Sequence, residues 1–250
     1  MINILVCGIS GKMGANICNL LKDDKEAVVS CGVDIHSPEG INVPVYPTFG
    51  AVAKKPDVII DFSSPAVLND LLNYCIKNNI PAVLASTGYT KEQLQSIDDA
   101  SKQVAIFRTA NFSLGVNLLV DLVKRAAEVL GEKFDVEIIE KHHNQKVDAP
   151  SGTALMLADS VNSAFDNTKP YMDGRSGQVG KRGNEIGIHA VRGGTIVGDH
   201  DVLFCGEDEI ITLSHSARSK KVFAAGAIKA AKWLKGRPAG LYNMNNLLND

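Results

Sequence analysis

Apolar residues alternate along this chain between unbroken runs and helical spacing. Ile4, Leu5 and Val6 form a continuous run that stops at Gly8, and from 13 to 21 apolar positions recur with a helical period. The pattern predicts strand, glycine turn, helix. Further runs at 28–33, 57–62, 82–85 and 104–107 repeat the first rhythm, and Ser63, Ser64 and Pro65 carry the chemistry that caps and opens a helix over 67–78. Strands without polar alternation are covered on both faces, so this half predicts an α/β fold with a parallel sheet between helices.

From about Asn111 the pattern changes. An apolar helix over 114–130 leads into a strand over 136–140, and a polar, glycine-rich stretch at 166–184 reads as a long loop. Strands follow at 186–191, 195–197 and 210–214, in an antiparallel or mixed sheet. A final helix over 222–235 stops before Gly236 and Pro238, as helix-end chemistry requires. The expected organisation is a domain of 1–111 rejoined by 219–250, with an α+β domain of 112–218 inserted.

Composition narrows the partners. The chain has 250 residues, of which 45% are hydrophobic, enough to bury a sizeable core, and its net charge of −2 gives no electrostatic argument for nucleic acid or an anionic membrane. A small-molecule partner is expected. Cys7, Cys18, Cys31, Cys75 and Cys205 are odd in number and contain no CxxC pair, so they read as buried thiols in a reducing compartment. No basic segment precedes the run at Ile2 and no apolar stretch reaches roughly eighteen residues, so a cytoplasmic protein is expected.

Gly8, Gly11 and Gly14 separate the first strand from the first helix, where glycine lets the backbone approach a pyrophosphate and the helix start offers free N–H groups. Ser10 stands where the commonest dinucleotide fingerprint has a glycine, so the bare pattern is weak. Asp34 strengthens it, because it ends the second strand 20 residues after Gly14, where a carboxylate can accept from a ribose diol. The plainer alternative is a tight turn with a surface aspartate. A carboxylate there repels a 2'-phosphate, which Lys12 or His36 would partly offset, so NADH is expected and NADPH stays open.

Residues 140–154, EKHHNQKVDAPSGTA, concentrate titratable and turn-forming residues beyond any packing need. Strand phase sends His142 and His143 to opposite faces unless the strand ends near Lys141. Ser151 is a plausible N-cap for a helix from 152, leaving the N–H groups of Gly152 and Thr153 for a carboxylate. Lys146 lies between these devices as a cation, a proton donor or both. Each histidine or lysine alone would more often be a solvated or packed residue; their coincidence with an anion-ready helix start points to chemistry. Zinc is the rival reading for the histidines, but adjacent histidines rarely share one metal and no second pair lies at ligand spacing, so no metal is expected.

The same residues resemble one family closely, dihydrodipicolinate reductase, of the diaminopimelate route to lysine. The resemblance covers nearly the whole chain: the 140–154 signature, GISGKMG at 8–14, DFSSP at 61–65, ANFSLGVN at 110–117, VRGGTIVGDH at 191–200 and FAAGAIKAAKWL at 223–234. It implies a Rossmann dinucleotide-binding domain with an inserted α+β substrate-binding and oligomerisation domain, NADH or NADPH as cofactor, a cyclic dicarboxylate substrate and a homotetramer built through the second domain's sheet. It further implies His142 as acid/base and Lys146 as proton donor, with His143, Lys146, Ser151, Gly152 and Thr153 on the substrate carboxylates. On the cofactor it implies Gly8, Ile9, Ser10, Gly11, Lys12 and Met13 at the pyrophosphate and Asp34 at the adenosine ribose. Ala85, Ser86, Thr87, Thr109, Ala110, Asn111 and Phe112 would line the nicotinamide half. Three positions depart from the family pattern: Ala85-Ser86-Thr87 replaces Gly-Thr-Thr, Ile35 replaces an arginine and Lys220 replaces another. The alternatives are a different Rossmann oxidoreductase, such as an aspartate or homoserine dehydrogenase, and a dinucleotide-sensing protein without turnover.

Overall fold

The computed structural model describes residues 1–36 and 40–250. The chain divides into two units, Met1–Phe112 with Lys221–Asp250, and Ser113–Lys220. The first unit opens with β1 (Ile2–Cys7), α1 (Lys12–Leu21), β2 (Ala27–Val33), β3 (Val45–Tyr46), β4 (Val58–Asp61), α2 (Leu68–Asn78), β5 (Ala82–Leu84), α3 (Lys91–Ser101) and β6 (Ala105–Arg108). The second holds α4 (Leu114–Leu130), β7 (Asp135–His142), α5 (Gly152–Ser163), β8 (Tyr171–Asp173), β9 (Ile186–Arg192), β10 (Gly198–Cys205) and β11 (Ile210–Ala217). The chain then returns to the first unit as α6 (Lys221–Leu234), β12 (Gly240–Tyr242) and α7 (Met244–Leu248).

The first unit is built on a seven-stranded parallel sheet in the order β12-β6-β5-β4-β1-β2-β3. Its central strands are apolar throughout because both faces are covered: Leu5, Ile59, Leu84 and Ile106 share one core with Leu71 and Cys75 of α2. Burying each such leucine or isoleucine contributes roughly 1.5–3 kcal/mol. Register aligns the strand ends, since Cys7 pairs with both Val33 and Asp61, Asp61 with Leu84, and Leu84 with Arg108. Every loop that follows these residues therefore opens on one edge. The chain runs outward from β1 through β2 and β3, then restarts at β4 on the other side, and that reversal is where open α/β sheets take ligands.

Local chemistry fixes the helices on this edge. Ser64 accepts the Ala66 N–H at 3.2 Å and opens a single 3-10 turn, Pro65–Val67, before α2 begins. Thr90 and Gln93 form a reciprocal capping box at the start of α3, and the Gln93 amide also donates to the Pro65 carbonyl at 2.7 Å. Two adjacent loops are thereby tied together.

The second unit has a mixed sheet in the order β11-β10-β7-β9-β8, with β10 antiparallel to β7 and β11, and β9 parallel to β7 and β8. Its core joins Leu119 and Val123 of α4, Leu157 and Val161 of α5, and Val136, Ile138, Ile188, Val202 and Phe204 of the sheet. Along β7 every second residue is buried, so Val136, Ile138, Glu140 and His142 share one face. On the other face the Glu137 carboxylate accepts from Arg175 and Arg182, each at 3.0 Å, and lies 2.7 Å from His189 Nε2.

Several expectations need correction. No strand forms at 195–197; the strand is β10, whose buried Gly198, His200, Val202 and Phe204 alternate with Asp199 and Asp201, so its polar members hide it from an apolar scan. The expected loop at 166–184 contains the short strand β8, held by parallel pairing to β9. β7 runs two residues beyond the expected 136–140 and ends at His142, one residue past Lys141. Of the five thiols, Cys7, Cys31 and Cys75 are buried, but Cys18 and Cys205 are only partly so.

Candidate active site

At the edge of the first unit, Gly8 has φ +79° and donates to the Val33 carbonyl at 2.9 Å. A side chain there would bring a Cβ within 2.9 Å of the Phe62 carbonyl oxygen, and one on Gly14 would overlap the main chain of Gly8 and Ile9. Gly11 N-caps α1 without any side-chain cap, so the N–H groups of the first turn are not claimed by a capping side chain. The turn therefore fits a pyrophosphate, because bare backbone and a helix start converge where no Cβ intrudes. Lys12 is exposed at the first helical position, Met13 is half-buried, and the Ile9 side chain lies in the core against Gly32, so only the main chain of Ile9 is available to a ligand.

Asp34 follows β2 and accepts the Ser10 N–H at 3.1 Å and the His36 N–H at 3.2 Å. Partial burial works against its charge, but these hydrogen bonds, Ser10's foremost, prevail and hold the carboxyl below its ordinary range. Further along the edge, the Ala85 N–H donates to the Asp61 carbonyl at 2.9 Å, the Ser86 hydroxyl donates to the Asp61 carboxylate at 2.8 Å, and Thr87 is exposed. After β6, Thr109 Oγ1 accepts the Asn111 N–H at 3.4 Å, Ala110 is exposed between them, and Phe112 is buried with its ring tilted against Phe62 and Phe107. All of these segments belong to the first unit.

The second unit assembles another group around Glu140, whose exposure is 0%. Oε1 accepts the Ser151 N–H at 3.0 Å and Arg192 Nη2 at 2.8 Å; Oε2 accepts Arg192 Nη1 at 2.7 Å and lies 2.7 Å from His142 Nδ1. The guanidinium fork is bidentate, which adds both strength and fixed geometry to the pair. Burial pushes the Glu140 carboxyl up, yet Arg192 first and His142 second outweigh it, so it sits below its ordinary range and stays ionised. An ionised carboxylate only accepts, so the proton of the imidazole is assigned to Nδ1 and Nε2 is left free of that bond. Gly198 makes room for it: a Cβ there would stand 3.1 Å from His142 Nε2.

His200, 3% exposed, sits edge-on to His142 with ring centroids 5.2 Å apart. Burial, reinforced by the neighbouring His142, pushes its pKa down to about 4, which keeps it neutral near pH 7. Its Nε2 lies 3.1 Å from the Ser151 hydroxyl, and that hydroxyl accepts the Ala154 N–H at 3.1 Å as the N-cap of α5. A Cβ added to Gly152 would meet open space, so the first turn of α5 is uncrowded. The connection between β7 and α5 is closed by Gly193 N–H to the His142 carbonyl, 2.9 Å, and Asn144 N–H to the Gly194 carbonyl, 3.2 Å.

The structure thus brings His142, Ser151, Gly152 and Thr153 onto one strand end and one helix start. His143 lies just past the strand, with a buried Nδ1 that has no hydrogen-bond partner. Lys146 is not a free cation, for its Nζ donates to both oxygens of Asp148 at 2.8 Å, and that contact, first among the causes, lowers the Asp148 carboxyl. Glu140, Arg192, Asp148, His200 and Asp61 escape a sequence reading of function. Glu140 had a signal, because a carboxylate and an imidazole two apart end the apolar face of one strand. Among the described residues no group of three or more His, Cys, Asp or Glu side chains could hold a metal ion, and no helix is long and apolar enough to cross a membrane.

Known proteins bear on both units. Residues 2–112 match the family model "Dihydrodipicolinate reductase, N-terminus" and residues 115–248 match "Dihydrodipicolinate reductase, C-terminus". A 4-hydroxy-tetrahydrodipicolinate reductase of Clostridium tetani is 47% identical over 100% of this chain and 98% of its own length. One from Caldanaerobacter subterraneus subsp. tengcongensis is 50% identical over 99% of this chain and 98% of its own. Among solved structures, a dipicolinate-bound dihydrodipicolinate reductase from Paenisporosarcina sp. TG-14 superposes with a TM-score of 0.82 at 27% identity, covering 98% of this chain and 99% of the other.

Proposed function

The chain belongs to the dihydrodipicolinate reductase family, and from that premise we propose that it reduces 4-hydroxy-tetrahydrodipicolinate to tetrahydrodipicolinate with NADH or NADPH, in the diaminopimelate route to lysine. When bound, the reduced nicotinamide supplies the hydride. The residues of this chain bind, orient and move protons. In this reading the N–H groups of the Gly8 to Met13 turn take the pyrophosphate and Asp34 accepts from the adenosine ribose. Ala85 to Thr87 and Thr109 to Phe112 border the nicotinamide half.

On the substrate side, addition of a hydride to a conjugated cyclic imine builds negative charge that a positioned acid must meet with a proton. His142 is that acid, delivering from Nε2, and the observation that carries the reading is its Nδ1 contact with buried Glu140 at 2.7 Å. A carboxylate so placed both fixes the tautomer and stabilises the imidazolium that precedes transfer. The N–H groups at the start of α5, Gly152 and Thr153, with Ser151, His143 and Lys146, take the two substrate carboxylates. Lys146 exchanges Asp148 for a substrate carboxylate and provides the second proton-donating group. The protein acts as a cytoplasmic homotetramer, assembled through the sheet of the second unit.

Absorbance at the nicotinamide band tests this directly. Oxidation of NADH or NADPH is expected with the cyclic imine and not with aspartate semialdehyde. The reverse result would replace the reading with a different amino-acid dehydrogenase, and binding without turnover would replace it with a sensor.

A further inference from the structure

A second buried carboxylate, apart from the group around His142, joins two loops and, through one of them, the end of β1 at the sheet edge of the first unit. Asp61 ends β4 and is 1% exposed. Its Oδ1 accepts the Ser63 N–H at 3.1 Å and the Ser63 hydroxyl at 2.5 Å, and its Oδ2 accepts the Ser86 hydroxyl at 2.8 Å. The Cys7 thiol donates to Ser63 Oγ at 3.4 Å, and the Tyr89 hydroxyl stands 3.5 Å from Oδ2, the outer limit of a hydrogen bond. Ser63 follows β4, and Ser86 and Tyr89 follow β5, so Asp61 ties together two loops on one side of the topological reversal, and Ser63 links them to Cys7 at the end of β1 on the other. Burial raises the Cys7 thiol and the Tyr89 phenol, so neither trades protons near neutrality. The cluster is a fixed pattern of donors and acceptors.

The direction of each bond has a chemical consequence. A serine hydroxyl has one hydrogen, and that of Ser86 is committed to Asp61. The Tyr89 side chain is also a hydrogen-bond partner of Ser86, and of the two acceptor sites on the half-buried oxygen one remains beside it, which suits an N–H donor and repels a phosphate. A nicotinamide dinucleotide has two such donors, the adenine amino group and the nicotinamide carboxamide. Asp34, the proposed ribose partner, follows β2, and Ser86 follows β5, three strand spacings or about 14 Å away. The adenine belongs to the Asp34 end, which leaves the carboxamide for Ser86.

We propose that Asp61 is a positioning residue that holds the Ser86 hydroxyl as an acceptor for the carboxamide N–H of the nicotinamide, and so sets the orientation of the ring. This rests on the dinucleotide reading of the first unit. Asp61→Asn would present an amide N–H on one side of the cluster, conflicting with a hydroxyl that now donates there.

The test is a fluorescence titration of the whole protein with three ligands: NADH, a reduced analogue whose carboxamide is replaced by an acetyl group, and ADP-ribose. The wild type is expected to bind NADH about tenfold more tightly than the acetyl analogue, the effect of one hydrogen bond in a partly dry site. Ser86→Ala and Asp61→Asn should erase that preference and leave ADP-ribose affinity unchanged, whereas Ser86→Thr keeps the preference. Loss of affinity for all three ligands in both variants would mean a merely structural role and overturn the proposal. So would an undiminished preference in Ser86→Ala, which decides the matter alone should Asp61→Asn fail to fold. If the wild type binds NADH and the analogue equally, this inference fails while the dinucleotide reading stands; if it binds no dinucleotide, both fall.

Discussion

Asp61 and Glu140 are both buried carboxylates at the carboxyl ends of strands, one in each unit, and they are handled in opposite ways. Asp61 is surrounded by neutral donors, and burial keeps its carboxyl above the ordinary range despite them. Glu140 is gripped by a bidentate arginine and an imidazole, and there the cationic partners win over burial. The difference teaches what each region is arranged to do. Neutral donors around Asp61 fix geometry without adding charge at the edge where the proposed dinucleotide phosphates would meet bare backbone. The charged partners around Glu140 favour its ionised form beside the imidazole of His142, the acid of the proposed reaction.

The largest expected effect separates the two regions by function. His142→Ala should lower turnover by roughly 10²–10⁴-fold, measured as NADH oxidation with the cyclic imine. NADH affinity should be unchanged, because every proposed dinucleotide contact belongs to the other unit; parallel losses in both quantities would erase the distinction. Next comes stability. Arg192→Met strands the Glu140 charge in the core and should cost about 3–5 kcal/mol in urea unfolding. A loss below about 1 kcal/mol would mean that Glu140 does not depend on the guanidinium.

Gly14→Ala attacks the region that works through main chain. Its Cβ would overlap the backbone of Gly8 and Ile9, so α1 must shift. A cost of about 1–3 kcal/mol, with weakened NADH binding and little change in substrate KM at saturating NADH, is expected. Wild-type NADH affinity in a folded Gly14→Ala protein would remove the turn from the cofactor site.

The smallest effect sharpens the contrast through pH. Glu140 titrates below its unfolded value near 4.5, so the unfolded chain binds its proton first, and the stability it contributes is present above that value and lost as pH falls through the folded pKa. Asp61 titrates above its unfolded value near 3.8, so the folded chain binds its proton first, and stability declines as pH rises from 3.8 through the folded pKa. Thermal unfolding between pH 7 and pH 4 should therefore show Glu140→Gln losing less stability on acidification than the wild type, and Asp61→Asn losing more. Equal slopes in all three proteins would dissolve the comparison.

Much of this is legible in the sequence, and the illegible part has a physical pattern. The glycine turn, the helix over Leu114–Leu130 and the Ser151 cap are local, written in residues a few positions apart, and the structure forms them where the sequence points. β10 was hidden because Asp199, His200 and Asp201 interrupt its apolar residues, and alternation only becomes visible once burial is known. The link from Asp61 to Ser86 spans 25 residues and that from Glu140 to Arg192 spans 52, distances over which no spacing rule operates. The parts of the site that hold its charges in place are those that strand pairing alone brings together, since Arg192 faces His142 across β7 and β9.

The sheet of the first unit also imposes an order of events in time. β12 pairs with β6 through Gly240 and Ala105, and all of Ser113–Lys220 is translated between them. A growing chain therefore carries β1 through β6 out of the ribosome with the flank of β6 still bare, and the second unit emerges whole before α6 and β12 arrive. Bare strand flanks recruit other chains. Synthesis that stalls within the second unit leaves the earlier one open, so the speed with which those intervening residues are read sets how long this protein is exposed to its neighbours.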